Sequence, residues 1–512
     1  MNSFDKPKGL WEIAKATPDR CAIATADGEM LTYRELVEAV NRVSNALMTA
    51  GLQRGDAFTQ VSQNEPEVFI LFFAALQTGL YYVPVNYHGT VDDIAYICEN
   101  SESRYLFCDA DHMATCIAAA EECGLSRERC ICVSPVDGLL TLNEWVAEFS
   151  VTRPVQNLAG SLMQYTSGTT GRPKGVRRPL PLISADQVAG LSAEQLRWYG
   201  MESYQGPHLV TSPLYHSAVF SHAVSALNLG HGVVIMQSFN GERFLELVEH
   251  HAVASTHMVA THFHRLLSLP NTVKEHYNLS SLTHLIHGAV PTPVDMKQAM
   301  FDWLGPVIYE YYGSSEVGAT IVGPQEWLQK PGTVGKPLSF TTLKILNDSG
   351  DEMPVGEKGW VYMKQGEDRF EYYKDKNKTE KSRRGDLICV GDIGYVDDEG
   401  YLFLCGRDAE IIISGGVNIY PAATEAQLLS HPAVYDAGVI GVPDREYGEQ
   451  VKAVVELNAG YSPGQELEQE LINYCRNTLS HINCPRSVDF IDQLPRDPNG
   501  KLLKQKLRSA YL

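Results

Sequence analysis

The sequence predicts an α/β fold in two parts, a large amino-terminal portion followed by a small α+β domain. Three observations carry this. Helix-period and strand-like apolar segments alternate along the chain, and between residues 31 and 133 they form the pattern of parallel-sheet units. At 512 residues the chain is long enough for two or more domains with sizeable cores. After about residue 406 the pattern changes to short strands and two helices, a span suited to one small domain.

The elements follow in order. Leu31-Thr-Tyr-Arg-Glu-Leu36 opens a helix that runs to about Leu47, with Thr32 as its cap and Glu35 three residues on. Residues 68–79 read as a buried helix, and residues 81–85 as a short apolar strand. Apolar runs at 104–108 and 130–133 read as further strands. Past a boundary near Arg407 and Asp408 come a strand at 410–414, a helix at 422–429, strands at 437–441 and 450–457, and a helix over 464–480. No internal repeat or long low-complexity linker is visible.

Charge narrows the partners. With 42 Lys+Arg against 62 Asp+Glu, the net charge is −20. Nucleic acid is disfavoured, because phosphate neutralisation needs basic residues in excess. A small polyanion needs only a local basic pocket. The longest clean apolar run, residues 68–76, is far short of the roughly 20 residues that cross a bilayer. Residues 1–17 show no basic-then-apolar signal pattern, so the expected compartment is the cytoplasm. Eleven cysteines, six of them between Cys98 and Cys132 without a C-x-x-C pair, fit reduced and mostly buried thiols. They lack zinc spacing.

Histidines crowd the middle of the chain. His262-x-His264 or His284-x-x-His287 could start a metal site. The preferred reading is core and helix-face histidine, because no carboxylate or Cys stands at ligand spacing.

The strongest motif is Tyr165-Thr-Ser-Gly-Thr-Thr-Gly-Arg-Pro-Lys-Gly175. Its glycines and hydroxyls concentrate short donors, and Lys174 adds charge, which suits phosphate oxygens. It is not a Walker A loop, since Pro173 stands where a Gly is needed. No G-x-G-x-x-G dinucleotide fingerprint occurs. Gly460-Tyr-Ser-Pro-Gly464 matches a hydrolase elbow by pattern, but Pro463 has no N–H to offer an oxyanion.

Four more clusters follow the phosphate loop: Tyr311-Tyr-Gly-Ser-Ser-Glu-Val-Gly318, Gly391-Asp-Ile-Gly394, Gly406-Arg-Asp408 leading into Ile411-Ile-Ile-Ser-Gly-Gly-Val-Asn-Ile-Tyr-Pro421, and Leu494-Pro-Arg-Asp-Pro-Asn-Gly-Lys501. In this order the chain resembles the adenylate-forming superfamily, and within it the acyl-CoA synthetases, from residue 31 to Lys501. The resemblance implies a large domain of stacked α/β sheets with a β-subdomain over residues 1–407, binding ATP and the acyl group. It implies a small mobile domain over residues 408–512, carrying the adenylation lysine.

The resemblance also assigns residues. Thr166, Ser167, Gly168, Thr169, Thr170, Gly171 and Lys174 would hold the β- and γ-phosphates, and Ser315 would lie near the α-phosphate. Tyr312 would lie against adenine, with Gly313 in the same nucleotide-binding stretch, and Asp392 with Arg407 would hold the ribose. Glu316 would bind Mg²⁺, and Lys501 would bridge the carboxylate and the departing oxygen. His216, in Pro213-Leu-Tyr-His216, resembles the family's gate residue beside the acyl carbonyl, with Gly288 and Ala289 lining the acyl site. Gly415 and Gly416 would flank the path of the thiol of coenzyme A, and Asp408 would be the hinge.

The departures from the family's pattern are few. Ser315 replaces the usual Thr, Ala423 the usual Glu, Cys389-Val390 a common Arg-Thr, and Glu410 a common Asp. The implied activity is ATP-dependent acyl-CoA ligation of an apolar acid, fatty or bulky and cyclic, with release of AMP and pyrophosphate. The alternative is an adenylating enzyme that hands its acyl group to a carrier protein or another acceptor. A non-catalytic relative is disfavoured by the presence of both Lys501 and Glu316. The partners expected are the carboxylic acid, ATP and coenzyme A. The residues do not fix the oligomeric state, and a homodimer is held open.

Overall fold

The computed structural model describes residues 8–511 apart from 156–157, 167–171, 290–291, 367–369, 416 and 498–499. The chain divides into two compact units, one of residues 1–257, 270–285 and 367–381, the other of residues 258–269, 286–366 and 382–512.

The first unit holds the parallel-sheet units that the apolar alternation predicts. Six parallel strands run in the order Leu140–Thr141, Cys130–Cys132, Ser103–Cys108, Ala57–Val61, Tyr81–Val85 and Ser161–Leu162. Val61, Val83, Ile94 and Leu106 pack in its core, all fully buried. Parallel strands also order as Cys21–Thr25, Val233–Ile235, His208–Val210 and Ser255–Met258. A small antiparallel sheet joins Gln164–Thr166, Lys174–Arg177 and Glu371–Tyr372.

Local chemistry explains the helices. Thr32 caps the helix Tyr33–Thr49, and Glu35 returns a bond to the Thr32 backbone, completing the capping box. The helix Pro66–Thr78 begins with Pro at its first turn and closes on Gly79 at φ +78°. Val68 through Thr78 are all buried, which is why this helix shows an apolar run and no polar face.

The second unit is richer in antiparallel strands. Ile308–Gly313 pairs with Ala319–Val322, which pairs with Lys336–Pro337. A six-stranded sheet includes Thr341–Leu346, Gly359–Gln365, Asp392–Val396 and Leu402–Arg407. A five-stranded sheet follows, built on the long hairpin Val434–Asp444 and Gly448–Leu457 and covered by the helices Pro421–Leu429 and Gln465–Arg476. Val439, Ala453, Val455, Leu428 and Leu471 fill its core.

Several elements here differ in extent from the sequence pattern. The strand expected from residue 410 is Ile412–Ser414, because Asp408–Glu410 forms a 3₁₀ turn. The strand at 437–441 lengthens to Val434–Asp444, since the hairpin partner meets it along its length. The last long helix stops at Arg476, with Asn477 as its C-cap, and the Thr478 hydroxyl donates to the Tyr474 carbonyl.

Candidate active site

In the first unit the two ends of the Tyr165–Gly175 motif lie on paired antiparallel strands. Thr166 pairs directly with Lys174 across antiparallel strands, and Tyr165 pairs with Gly175. Ser167, Gly168, Thr169, Thr170 and Gly171 lie outside the described residues. A Cβ on Gly175 would fall 2.6 Å from the Met163 methyl and 3.0 Å from the Tyr165 ring, so a larger residue there would have to displace them. The Lys174 ammonium lies 5.4 Å from the centroid of the Tyr372 ring.

The Pro213–His216 turn belongs to the same unit. His216 starts the helix Ser217–Leu229. Asn64 accepts from Leu214 N at 2.8 Å and donates to the carbonyls of Ser212 and Met236. Gln164 donates to the Tyr215 carbonyl. Two amides thus fix the backbone on which His216 stands. Neither was found from sequence, although Gln164 directly precedes the phosphate-loop motif.

Three histidines of this unit, His222, His231 and His284, are buried with hydrogen-bond partners. The Nδ1 of His222 meets the Ala218 carbonyl at 2.7 Å, and the Nε2 of His231 meets the Glu202 carbonyl at 2.6 Å. Burial pushes both imidazoles down to about 4. His284 lies between Thr283 Oγ1 and the Tyr199 carbonyl. The eleven cysteines carry free thiols.

In the second unit Tyr312, Asp392 and Arg407 meet. The Tyr312 hydroxyl donates to Asp392 Oδ2 at 2.6 Å, and Arg407 Nε donates to Oδ1 at 2.7 Å. Asp392 and Arg407 are direct cross-strand partners, and the Asp392 side chain is buried. Burial, then the neighbouring carboxylate, holds the Tyr312 hydroxyl well above the usual phenol range.

Gly313 and Gly318 shape the turn that carries Ser314, Ser315 and Glu316. A Cβ on Gly313 would meet the Gly318 carbonyl at 2.2 Å, and Gly318 sits at φ +52°. Ser314 Oγ accepts from the backbone N–H groups of Glu316 and Val317, and Gln365 accepts from Gly318 N. Glu316 is buried. Among the described residues no set of three His, Cys, Asp or Glu is gathered as a protein-only metal cage. One carboxylate suits Mg²⁺, which is commonly bound by one or two carboxylates together with substrate phosphates and waters.

Gly288 faces Tyr311, where a Cβ would come within 2.6 Å of the ring. Ala289 holds φ +67°, a left-handed conformation that costs a non-glycine residue about 1–2 kcal/mol.

Lys501 stands half-buried on its turn, with its N–H on Asp497 Oδ1 at 2.9 Å. Burial, then the Arg407 charge, depresses its ammonium pKa, opposed by Glu410, Asp497 and Asp392. The lysine therefore shares the electrostatic surroundings of the Asp392–Arg407 pair. Asp408 N donates to the Gly391 carbonyl at 2.9 Å. Lys504 pairs with Glu410 and Glu425, each at 2.9 Å, so Glu425 takes a structural load beside Ala423. Gly415 adopts φ +58° with its N–H on the Tyr447 carbonyl, and Gly416 lies outside the described residues. Gly460 and Gly464 bracket a loop ahead of the helix Gln465–Arg476.

No helix among the described residues is long and apolar enough to cross a membrane. Residues 10–370 match the family model described as AMP-binding enzyme, and residues 423–501 match the AMP-binding enzyme C-terminal domain. The chain is 30% identical to 2-succinylbenzoate–CoA ligase of Bacillus subtilis, covering 99% of this chain and 98% of that protein. It is 30% identical to a feruloyl-CoA synthase of Amycolatopsis, covering 98% and 99%. It is 28% identical to the fatty acid–[acyl-carrier-protein] ligase ScoC of Streptomyces coeruleorubidus, covering 95% and 92%. The fold superposes on o-succinylbenzoate CoA synthetase of Bacillus subtilis, solved with its acyl-adenylate intermediate, with a TM-score of 0.81, 27% identity and 98% of each chain covered.

Proposed function

Because the chain belongs to the AMP-binding enzyme family, we propose that it is an ATP-dependent, AMP-forming acyl-CoA ligase for an apolar, ring-bearing carboxylic acid. The observation that supports this most is the Tyr312–Asp392–Arg407 set with the Lys501 ammonium in the same electrostatic surroundings. The ring-bearing substrate is supported by the aryl acids in the names of two relatives.

The reaction has two steps. A carboxylate is a poor electrophile, so one of its oxygens first attacks the α-phosphorus of ATP. A P–O bond to the acid forms, the α–β anhydride bond breaks, and pyrophosphate leaves. Asp392 and Arg407 hold the ribose, and Tyr312 lies against adenine. Lys501 neutralises charge between the carboxylate and the departing oxygen, where a preorganised cation is most effective. Thr166, Ser167, Gly168, Thr169, Thr170, Gly171 and Lys174 carry the β- and γ-phosphates, with Ser315 near the α-phosphate. Glu316 would hold Mg²⁺, which when bound would offset phosphate charge.

In the second step a thiol gives up its proton and attacks the acyl carbonyl, the thioester C–S bond forms, the acyl C–O bond to the phosphate breaks, and AMP leaves with the bridging oxygen. His216, Gly288 and Ala289 flank the acyl group, and Gly415 and Gly416 border the thiol's path. Residues 1–407 act as the ATP- and acyl-binding domain, and residues 408–512 pivot at Asp408 between the two steps. The cytoplasm is the proposed compartment, in keeping with eleven free thiols.

A panel of aryl, bulky alicyclic and straight-chain acids, read by pyrophosphate release with and without coenzyme A, tests this function. Preference for ring-bearing acids with thioester formation is expected. A second reading, delivery to a carrier protein, is favoured by the likeness to ScoC. Adenylate formation that coenzyme A neither consumes nor accelerates would select it.

A further inference from the structure

Arg496 lies five residues before Lys501, at the start of the same turn. Its guanidinium grips Asp436 in a bidentate pair, Nε to Oδ2 and Nη2 to Oδ1, both at 2.6 Å. The remaining nitrogen, Nη1, donates to the carbonyl of Gly500 at 2.5 Å, the residue directly before Lys501. The pair is mostly shielded, with side chains 20% and 14% exposed. Asp436 follows Tyr435, whose ring meets His264 edge-on at 4.9 Å between centroids. Gly500 itself packs so closely that a Cβ there would lie 2.3 Å from Thr261 Oγ1. Thr261 and His264 are both on the helix Ala260–Leu267.

We propose that Arg496 and Asp436 are positioning residues that set the Lys501 turn for adenylation, tying it to the strand that meets the helix Ala260–Leu267. The proposal rests on Lys501 serving adenylation as proposed above. The planar fork matters, because it satisfies a carboxylate and a backbone carbonyl at once. A lysine at 496 would keep the charge but could not hold that geometry. The pair does not touch substrate; it acts through Lys501.

The test measures both half-reactions in Arg496→Lys and Asp436→Asn beside Lys501→Ala. We expect Arg496→Lys to lower the kcat of carboxylate-dependent ATP–pyrophosphate exchange about 10- to 100-fold, with the KM for ATP and acid within about threefold. Thioester formation from preformed acyl-adenylate should stay within about twofold, and Asp436→Asn should show the same split. Exchange within threefold of the parent in Arg496→Lys, while Lys501→Ala loses it, overturns the clamp alone. Equal loss of both half-reactions in both variants also overturns it, leaving the pair a support for the fold. If Lys501→Ala keeps exchange, the reading of Lys501 fails and the clamp with it.

Discussion

Tyr312 donates its hydroxyl hydrogen to Asp392 across 80 residues of sequence, at 2.6 Å, while Arg407 occupies the other carboxylate oxygen. The carboxylate is buried and each of its oxygens accepts a hydrogen bond, which holds it in one orientation; in the proposed function it is the acceptor for the ribose diol.

Asp392→Asn removes that charge and leaves Arg407 without its partner. Hydrogen bonds to charged groups contribute about 1.5–3 kcal/mol, so ATP affinity should fall about 10- to 100-fold. The KM for the acid should change far less. Titration of ATP binding checks this, and an ATP affinity within twofold of the parent would remove Asp392 from the nucleotide site.

Lys501→Ala should abolish adenylation while leaving the fold intact. Loss of one preorganised donor costs about 10²–10³ in rate. Conversion of preformed adenylate to thioester should suffer much less. Exchange within tenfold of the parent would contradict the assignment.

Two buried histidines predict a pH dependence of stability. His222 and His231 have imidazoles pushed down to about 4 by burial, against about 6.5 in an unfolded chain. Between those values the unfolded state binds protons that the fold refuses. Their contribution is therefore complete above pH 6.5 and is lost as the pH falls toward 4, about 3 kcal/mol for each. Glu65 works in the opposite sense, since burial raises its carboxyl to about 8 and stability falls as the pH rises through that range. The measurement is thus a difference: urea midpoints from pH 7 to 4.5 for His222→Gln against the parent. The variant should lose less stability on acidification, and parallel curves would contradict the assignment.

Much of this architecture was legible from local chemistry. Thr32 and Glu35 form their capping box within one turn, and the Pro66–Thr78 helix carries its burial in its composition. The Tyr165–Gly175 motif stands out in the sequence, because glycines and hydroxyls in fixed order leave a local mark, whereas the antiparallel pairing of its ends does not. Asn64 and Gln164, which fix the turn before His216, are single amides whose partners lie 150 and 51 residues away. Arg496 and Asp436 are 60 residues apart, and no period or spacing links them. Side chains that act only through tertiary folding leave no such mark. The strand begins at Ile412, two residues after the start that the sequence pattern predicts, because a polar 3₁₀ turn and a strand edge look alike in sequence.

The most direct measurement is ATP–pyrophosphate exchange without coenzyme A, with mass-spectrometric detection of the acyl product, followed by addition of coenzyme A in a single turnover. The account predicts exchange that depends on a ring-bearing carboxylic acid, accumulation of its acyl-adenylate, and stoichiometric conversion to thioester and AMP when the thiol arrives. Release of ADP and orthophosphate in place of AMP and pyrophosphate, or thioester formation with no adenylate intermediate, would contradict it.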